Sequence, residues 1–201
     1  PMRASEPCAG DTEEKAALRI REAFDEAVRI RMIADVPLGA FLSGGIDSSS
    51  VVASMALSSP DPVQTFSIGF EESGFNELPA ARLVAQRYNT KHREMVVSPD
   101  SVRLIERLIR HFDEPFGDSS AIPTFLVSEF AAQHVKVALT GDGGDELFGG
   151  YEVHRSAAGL ARWGAIPQSL RGGIRRIADF LPYGAYGKNF LHMISLNSGF
   201  A

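Results

Sequence analysis

Val36-Pro37-Leu38-Gly39-Ala40-Phe41-Leu42-Ser43-Gly44-Gly45-Ile46-Asp47-Ser48-Ser49 passes from an apolar run into a turn of hydroxyls, glycines and a carboxylate, and then into helix-forming residues. Residues 38–42 are short, apolar and bounded by Pro37 and the Ser43-Gly44-Gly45 breakers, as in a strand covered on both faces of a parallel sheet. Gly44 and Gly45 permit positive φ and let backbone N–H groups approach a ligand. A helix starting near Asp47 or Ser48 and running through Val51, Val52 and Met55 would turn its unpaired N–H groups and positive dipole end to the same concavity. The stretch reads as an anion cradle at the end of a buried strand, lined by Ser43, Gly44, Gly45, Ile46, Asp47 and Ser48.

Asp47 constrains that reading, because a carboxylate beside a phosphate repels it unless a cation lies between them. Mg²⁺ takes carboxylate and phosphate oxygens together and resolves the conflict. Helix capping is the plainer alternative for Ser43 or Asp47 taken singly, but the whole run after an apolar strand favours phosphate. Other motifs are excluded by inspection. No G-x-x-x-x-G-K-S/T is present, no G-x-G-x-x-G follows the strand, and a G-x-S-x-G elbow fails because Phe41 stands two residues before Ser43. The remaining pattern, Ser-Gly-Gly-x-Asp-Ser, resembles the pyrophosphate-binding loop of the ATP pyrophosphatase superfamily, which splits ATP into AMP and pyrophosphate while adenylating a substrate.

The 201 residues are 44% hydrophobic and 22% charged, the composition of an ordinary globular protein with a substantial core. A formal net charge of −5 without a basic run argues against a nucleic-acid partner. The chain lacks an apolar run of about 18 residues and a signal-peptide pattern at its start, so a cytoplasmic protein with no membrane partner is expected. Cys8 is the only cysteine, which excludes disulfide frameworks, cysteine zinc sites and C-x-x-C redox chemistry within this sequence.

Residues 1–11 read as a disordered leader, and Thr12-Glu13-Glu14-Lys15 as the start of an amphipathic helix. Beyond the cradle, a second strand is expected over 63–70 and a helix opening at Asn76 or Glu77, with Ala81, Val84, Ala85 and Tyr88 as its apolar stripe. A third strand is expected over 92–97, a helix from Ser98 or Asp100 through Leu108, another over 122–133, and a fourth strand over 135–139. Strands alternating with helices predict an α/β fold, a doubly wound parallel sheet with flanking helices. Ligands collect at the carboxyl ends of such strands near a topological switch point. The first, second and fourth strands would bring the Ser43 loop, Ile68-Gly69-Phe70 and the segment after Leu139 to one edge. Helices are expected over 156–160 and 169–181, and the end of the chain reads as cut rather than finished.

Thr140-Gly141-Asp142-Gly143-Gly144-Asp145-Glu146-Leu147-Phe148-Gly149-Gly150-Tyr151 puts three acids and two glycine pairs directly after that fourth strand. One of its carboxylates could join Asp47 on a magnesium ion, whereas the EF-hand spacing is absent. Together with 65–70 and Asp113-Glu114-Pro115-Phe116-Gly117-Asp118-Ser119-Ser120-Ala121-Ile122-Pro123, the two motifs resemble the synthetase domain of glutamine-hydrolysing asparagine synthetases, in order and with sensible spacing from about Glu13 to about Arg155.

That resemblance implies the adenine-nucleotide α-hydrolase type of fold over 12–155, with 156–201 as a truncated helical extension. It implies ATP and Mg²⁺, with Leu42, Ile68, Thr140 and Gly141 holding adenosine and 43–48 the pyrophosphate. Asp47 and Asp145 would hold Mg²⁺, and Asp142 would stand near the acyl-adenylate, where the family often has glutamate. The implied enzyme is an AMP-forming amide ligase that adenylates aspartate and transfers ammonia from glutamine to give asparagine. Related enzymes adenylate a different acid, and a nucleotide-binding fragment without catalysis is the other alternative. The resemblance further implies an N-terminal glutaminase domain not contained in this sequence, and leaves room for a homodimer. Lys188, the sole lysine after Lys136, lies in Tyr186-Gly187-Lys188-Asn189, which does not match the family's catalytic-lysine context. The five histidines lack metal-ligand spacing and read as structural. Asp118 is as well explained by helix initiation as by substrate binding.

Overall fold

A computed structural model describes residues 12–70, 76–97, 101–114, 117–118, 120–151, 167–182, 185 and 187–195. The expected leader with Cys8, the start at Ser98 or Asp100, Pro115, Phe116 and Ser119, the helix over 156–160 and the terminal residues 197–201 lie outside the described residues. The chain divides into two compact units, Pro1–Asp142 and Gly143–Ala201.

In the first unit, α1 (Glu13–Arg31) opens on Thr12, whose hydroxyl accepts the Lys15 N–H at 3.4 Å, with Glu13 and Glu14 in the first turn and Arg29 and Arg31 in the last. Both charge placements suit the helix dipole. There follow β1 (Leu38–Phe41), α2 (Ile46–Ser58), β2 (Gln64–Phe70), α3 (Leu78–Arg87), β3 (Lys91–Val97), α4 (Ser101–Phe112), α5 (Ala121–Ala132) and β4 (Val137–Leu139). All strand pairings are parallel and the order is β3-β2-β1-β4. The chain steps from β1 to β2 to β3 in one direction and then crosses back, so β4 lies on the other side of β1. The switch point therefore falls between β1 and β4.

Side chains along β1 alternate between two apolar layers, as a pleated strand requires. Ala40 and Leu42 join Val28 of α1, Val51, Val52 and Met55 of α2, and Ala81 and Ala85 of α3 on one face. Phe41 packs on the other face, against Phe66, Ala131 and Val135. This is a doubly wound α/β domain, as expected. Gly39 shares that second face, where a Cβ would come within 2.9 Å of the Phe66 ring and 2.7 Å of the Gln64 carbonyl oxygen. Its lack of a side chain is what lets Phe66 lie flat in the core, edge-on to Phe130 at 5.9 Å and stacked on His134 at 5.8 Å.

The second unit contains α6 (Gly144–Phe148), α7 (Gln168–Phe180) and α8 (Lys188–Ser195). The last two pack together, with Ala178 and Ile194 buried and His192 Nε2 3.5 Å from Asp179 Oδ1. Among the described residues, no helix is long and apolar enough to cross a membrane.

Candidate functional site

Leu42 extends the β1–β2 pairing by one bond, its N–H donating to the Phe66 carbonyl at 2.9 Å. The buried Ser67 hydroxyl donates to the Leu42 carbonyl, so the chain leaves the sheet at a fixed point. From there Ser43 and Ser48 clasp the turn from inside. Ser43 N–H donates to Ser48 Oγ at 3.2 Å, and the two hydroxyl oxygens lie 2.9 Å apart. Gly45 N–H donates to Ser43 Oγ at 3.1 Å, and the Ser48 hydroxyl donates to the Gly45 carbonyl at 3.3 Å.

The clasp leaves the helix end open. Gly45 is the N-cap of α2 and no side chain caps it, so neither Ser43 nor Asp47 acts as the cap. The first bond of the helix is Ser49 N–H to the Gly45 carbonyl at 3.0 Å. The N–H groups of Ile46, Asp47 and Ser48 therefore precede the intrahelical ladder, at the positive end of the dipole. Ile46 is 85% exposed, Asp47 is half-buried in the same turn, and the Leu42 side chain is in the core.

Two neighbours wall this turn. Gly44 has φ +85°, and a Cβ there would stand 2.6 Å from both the Ala80 Cβ and the Ala81 nitrogen, so the first turn of α3 presses directly on it. The second wall is Gly141, just beyond β4. A Cβ on Gly141 would stand 2.7 Å from the Ser48 nitrogen and 3.0 Å from the Asp47 Cβ. The pairing of β1 with β4 thus brings Gly141 onto the N-terminus of α2, across the switch point. Thr140 and Asp142 flank it, with the Thr140 hydroxyl donating to Asp142 Oδ2 at 2.9 Å and the Asp142 N–H donating to Thr140 Oγ1 at 3.3 Å. Asp142 is exposed and Thr140 half-buried. Ile68 is a half-buried residue within β2, inside the strand expected over 63–70.

The rest of the second motif belongs to the second unit, where its glycines have separate physical reasons. Gly143 (φ +93°) and Gly149 (φ +68°) bracket the five-residue α6 in the left-handed conformation that L side chains resist. At Gly150 a Cβ would overlap the Asp145 carboxylate in its present position, so the glycine leaves room for that side chain. Asp145 is half-buried in the first turn of α6, and the Tyr151 hydroxyl donates to Glu146 Oε1 at 2.6 Å.

Other residues have structural partners. Asp118 accepts the Ser120 N–H at 2.8 Å, and that bond holds its carboxyl below the usual range. Lys188 Nζ donates to the Leu181 carbonyl at 2.8 Å, at the end of α7. His92 is tied on both sides: Nδ1 lies 2.9 Å from Thr65 Oγ1 and Nε2 lies 3.1 Å from Glu94 Oε1. Burial lowers the His92 pKa, against the opposing pull of Glu94. The α3 wall and the His92 cluster were not anticipated from sequence, although His92 and Glu94 two apart on a strand must share a face.

A parallel sheet whose loop of small and hydroxyl residues meets an uncapped helix end at the switch point defines a doubly wound α/β domain with unpaired N–H groups at its carboxyl edge. Residues 19–193 match the Asparagine synthase family, and the chain belongs to that family. It is similar to the glutamine-hydrolyzing asparagine synthetase 1 of Bacillus subtilis, 39% identical over 180 residues that cover 89% of this chain and 28% of the relative. A putative glutamine-hydrolyzing asparagine synthetase 2 of Methanocaldococcus jannaschii is 45% identical over 148 residues, 73% of this chain and 28% of the relative. The chain thus spans less than a third of the length of these relatives. Among solved structures, an NH3-dependent NAD synthetase from Campylobacter jejuni aligns at TM-score 0.45 and 18% identity over 67% of this chain and 60% of that one, a likeness too loose to assign anything by itself.

Proposed function

We propose that this chain is the ATP-handling portion of an AMP-forming amide ligase, one that adenylates the side-chain carboxylate of aspartate and passes ammonia to it to give asparagine. Gly141 carries the reading. Its missing Cβ keeps the Ser48 N–H open beside Asp47 at the end of the chain's one Ser-Gly-Gly-x-Asp-Ser turn. Family membership supports the choice of reaction, and the names of the relatives support glutamine as the ammonia source.

In this proposal the N–H groups of Ile46, Asp47 and Ser48 hold the β- and γ-phosphates, while Leu42, Ile68, Thr140 and Gly141 border the adenosine. The aspartate carboxylate attacks the α-phosphorus, the bond to the bridging oxygen breaks, and pyrophosphate leaves with β-aspartyl-AMP remaining. Ammonia then adds to the acyl carbon and AMP departs. The helix-end amides are already oriented toward the charge that accumulates on the departing pyrophosphate, so they stabilise it without reorganising. Asp142, exposed beside Thr140, is the proposed residue facing the acyl-adenylate. The half-buried carboxylate in an otherwise anion-accepting turn fits a cation, and Asp47 is the proposed magnesium carboxylate of this turn. When bound, the ion would neutralise phosphate charge. A glutaminase domain supplied by a longer polypeptide is the proposed ammonia source.

The test is titration of the chain with ATP and Mg²⁺, paired with ATP–pyrophosphate exchange in the presence of aspartate. Asp47→Asn is expected to weaken magnesium-dependent ATP binding about tenfold or more, equivalent to about 1.4 kcal/mol, with an unchanged melting temperature. Undiminished binding by that variant would remove the metal role, and exchange that requires a different acid would remove aspartate as the acceptor.

A further inference from the structure

Gly44 is held in the left-handed conformation against the first turn of α3, so the shape of the phosphate turn depends on where that helix sits. One turn into α3, Arg82 reaches across to β3 and forks onto Glu94. Its Nε donates to Oε1 at 2.8 Å and to Oε2 at 3.0 Å, and its Nη2 to Oε2 at 2.6 Å. An exposed ion pair standing alone contributes little. This one is bidentate and is the outer end of a chain of polar groups that runs into the sheet.

The chain has a defined direction. Glu94, held ionised chiefly by Arg82, can only accept, so His92 donates from Nε2. Neutral His92 then accepts at Nδ1 from the Thr65 hydroxyl, and Thr65 in turn accepts from Thr90, 2.8 Å away. Thr65 is fully buried and pairs across to Ala40 of β1 on one side and His92 on the other. Glu94 pairs with Ser67, the residue whose hydroxyl holds the Leu42 carbonyl immediately before Ser43. The Arg82–Glu94 fork is thus linked to the phosphate turn by two routes, through α3 to Gly44 and through β2 to Leu42.

We infer that Arg82 and Glu94 are positioning residues for nucleotide: their fork, ordered by His92 and Thr65, fixes α3 against Gly44 and so holds the N–H groups of the Ser43–Ser48 turn in ligand-binding geometry. The inference rests on the ATP reading of that turn. Loss of the fork leaves the turn intact in composition and lets its wall shift, so it acts on affinity beyond its effect on stability.

The experiment is a double-mutant cycle read by ATP titration with Mg²⁺, alongside thermal unfolding, using the full chain. Arg82→Gln and Glu94→Gln are each expected to weaken ATP binding about fivefold or more, and the double variant no further than either single, because each single already breaks the fork. Arg107→Gln, which removes the exposed ion pair with Glu129 between α4 and α5, is the control and should bind ATP as the unsubstituted chain does. Singles that retain full affinity, a double variant whose loss is the product of the two singles, or an equal loss in the Arg107 control would each overturn the inference. Should a Gln variant fail to fold, Arg82→Lys, which keeps the charge without the fork, is held to the same criterion: an intermediate loss supports the role and full affinity overturns it. Absence of binding by the unsubstituted chain would instead remove the ATP reading itself.

Discussion

Gly141 and Gly44 wall the same turn for different reasons, and substitution separates them. Alanine at Gly141 would set a methyl group 2.7 Å from the Ser48 nitrogen, where a phosphate oxygen is proposed to accept. Gly141→Ala is expected to lower ATP affinity about tenfold in titration while the melting temperature moves little. Gly44→Ala meets α3 backbone and a φ of +85°, so it adds strain of about 1–2 kcal/mol to a clash with Ala81. That variant should lose both stability and affinity, measured by thermal unfolding and the same titration. The sequence marks both glycines of the Ser43 turn as conformationally free, yet only Gly44 uses positive φ, while Gly45 serves as N-cap at φ −67°. Which of the two does so depends on α3, more than thirty residues along, and local sequence carries no record of that contact. The Ser43–Ser48 clasp is similarly illegible, because a hydroxyl's partner is fixed only once the turn has closed.

At the scale of elements, β2 is the central structural member. Phe66 is fully buried, and Gly39, Phe130 and His134 are shaped around it. Phe66→Ala is expected to cost about 3–5 kcal/mol in urea unfolding, since a large ring leaves a cavity that a sheet cannot close. The strands and the α/β alternation were readable because short apolar runs between glycine and proline breakers have few other interpretations. Boundaries moved by one to four residues: α4 runs on to Phe112 rather than ending at Leu108, and β4 shrank to Val137–Leu139 where five residues were expected. Two helices were not foreseen. The five residues of α6 are too few to display a helical period, and they read as an acidic turn until Gly143 and Gly149 are seen in left-handed conformations. The eight residues of α8 mix Lys188, Asn189 and His192 with apolar positions, so only packing on α7 reveals them. Asp118 does not cap α5, whose N-cap is Ser120; its carboxylate accepts the Ser120 N–H just before the helix.

For the molecule as a whole, the burial of His92 and the Arg82 bond to Glu94 make acid destabilising. Burial lowers the His92 pKa from its ordinary 6.5. Above about pH 6.5 the imidazole is neutral folded or unfolded and its contribution is complete; as pH falls through that value the unfolded chain takes up the proton first and stability declines. Glu94, lowered chiefly by the Arg82 hydrogen bond from its ordinary 4.5, acts in the same sense further down, its contribution being lost as pH falls through its folded value. The urea midpoint is therefore expected to fall between about pH 7.5 and pH 5.5, and His92→Gln should flatten that dependence. A midpoint insensitive to pH over this range in the unsubstituted chain would contradict the assignment.

The strand order has a consequence for synthesis. β1 acquires β2 on one side soon after both have been made, but its other neighbour, β4, is translated about a hundred residues later. At about 5–20 residues per second the nascent chain spends about 5–20 s with one flank of β1 unpaired and the Ser43 turn open toward the position that Gly141 will fill. An uncovered apolar edge of this kind invites β-pairing between neighbouring nascent chains. Translation pauses between Val97 and Val137 would lengthen that exposure, whereas pauses late enough for Val137–Leu139 to have left the ribosome would come when β1 has both neighbours.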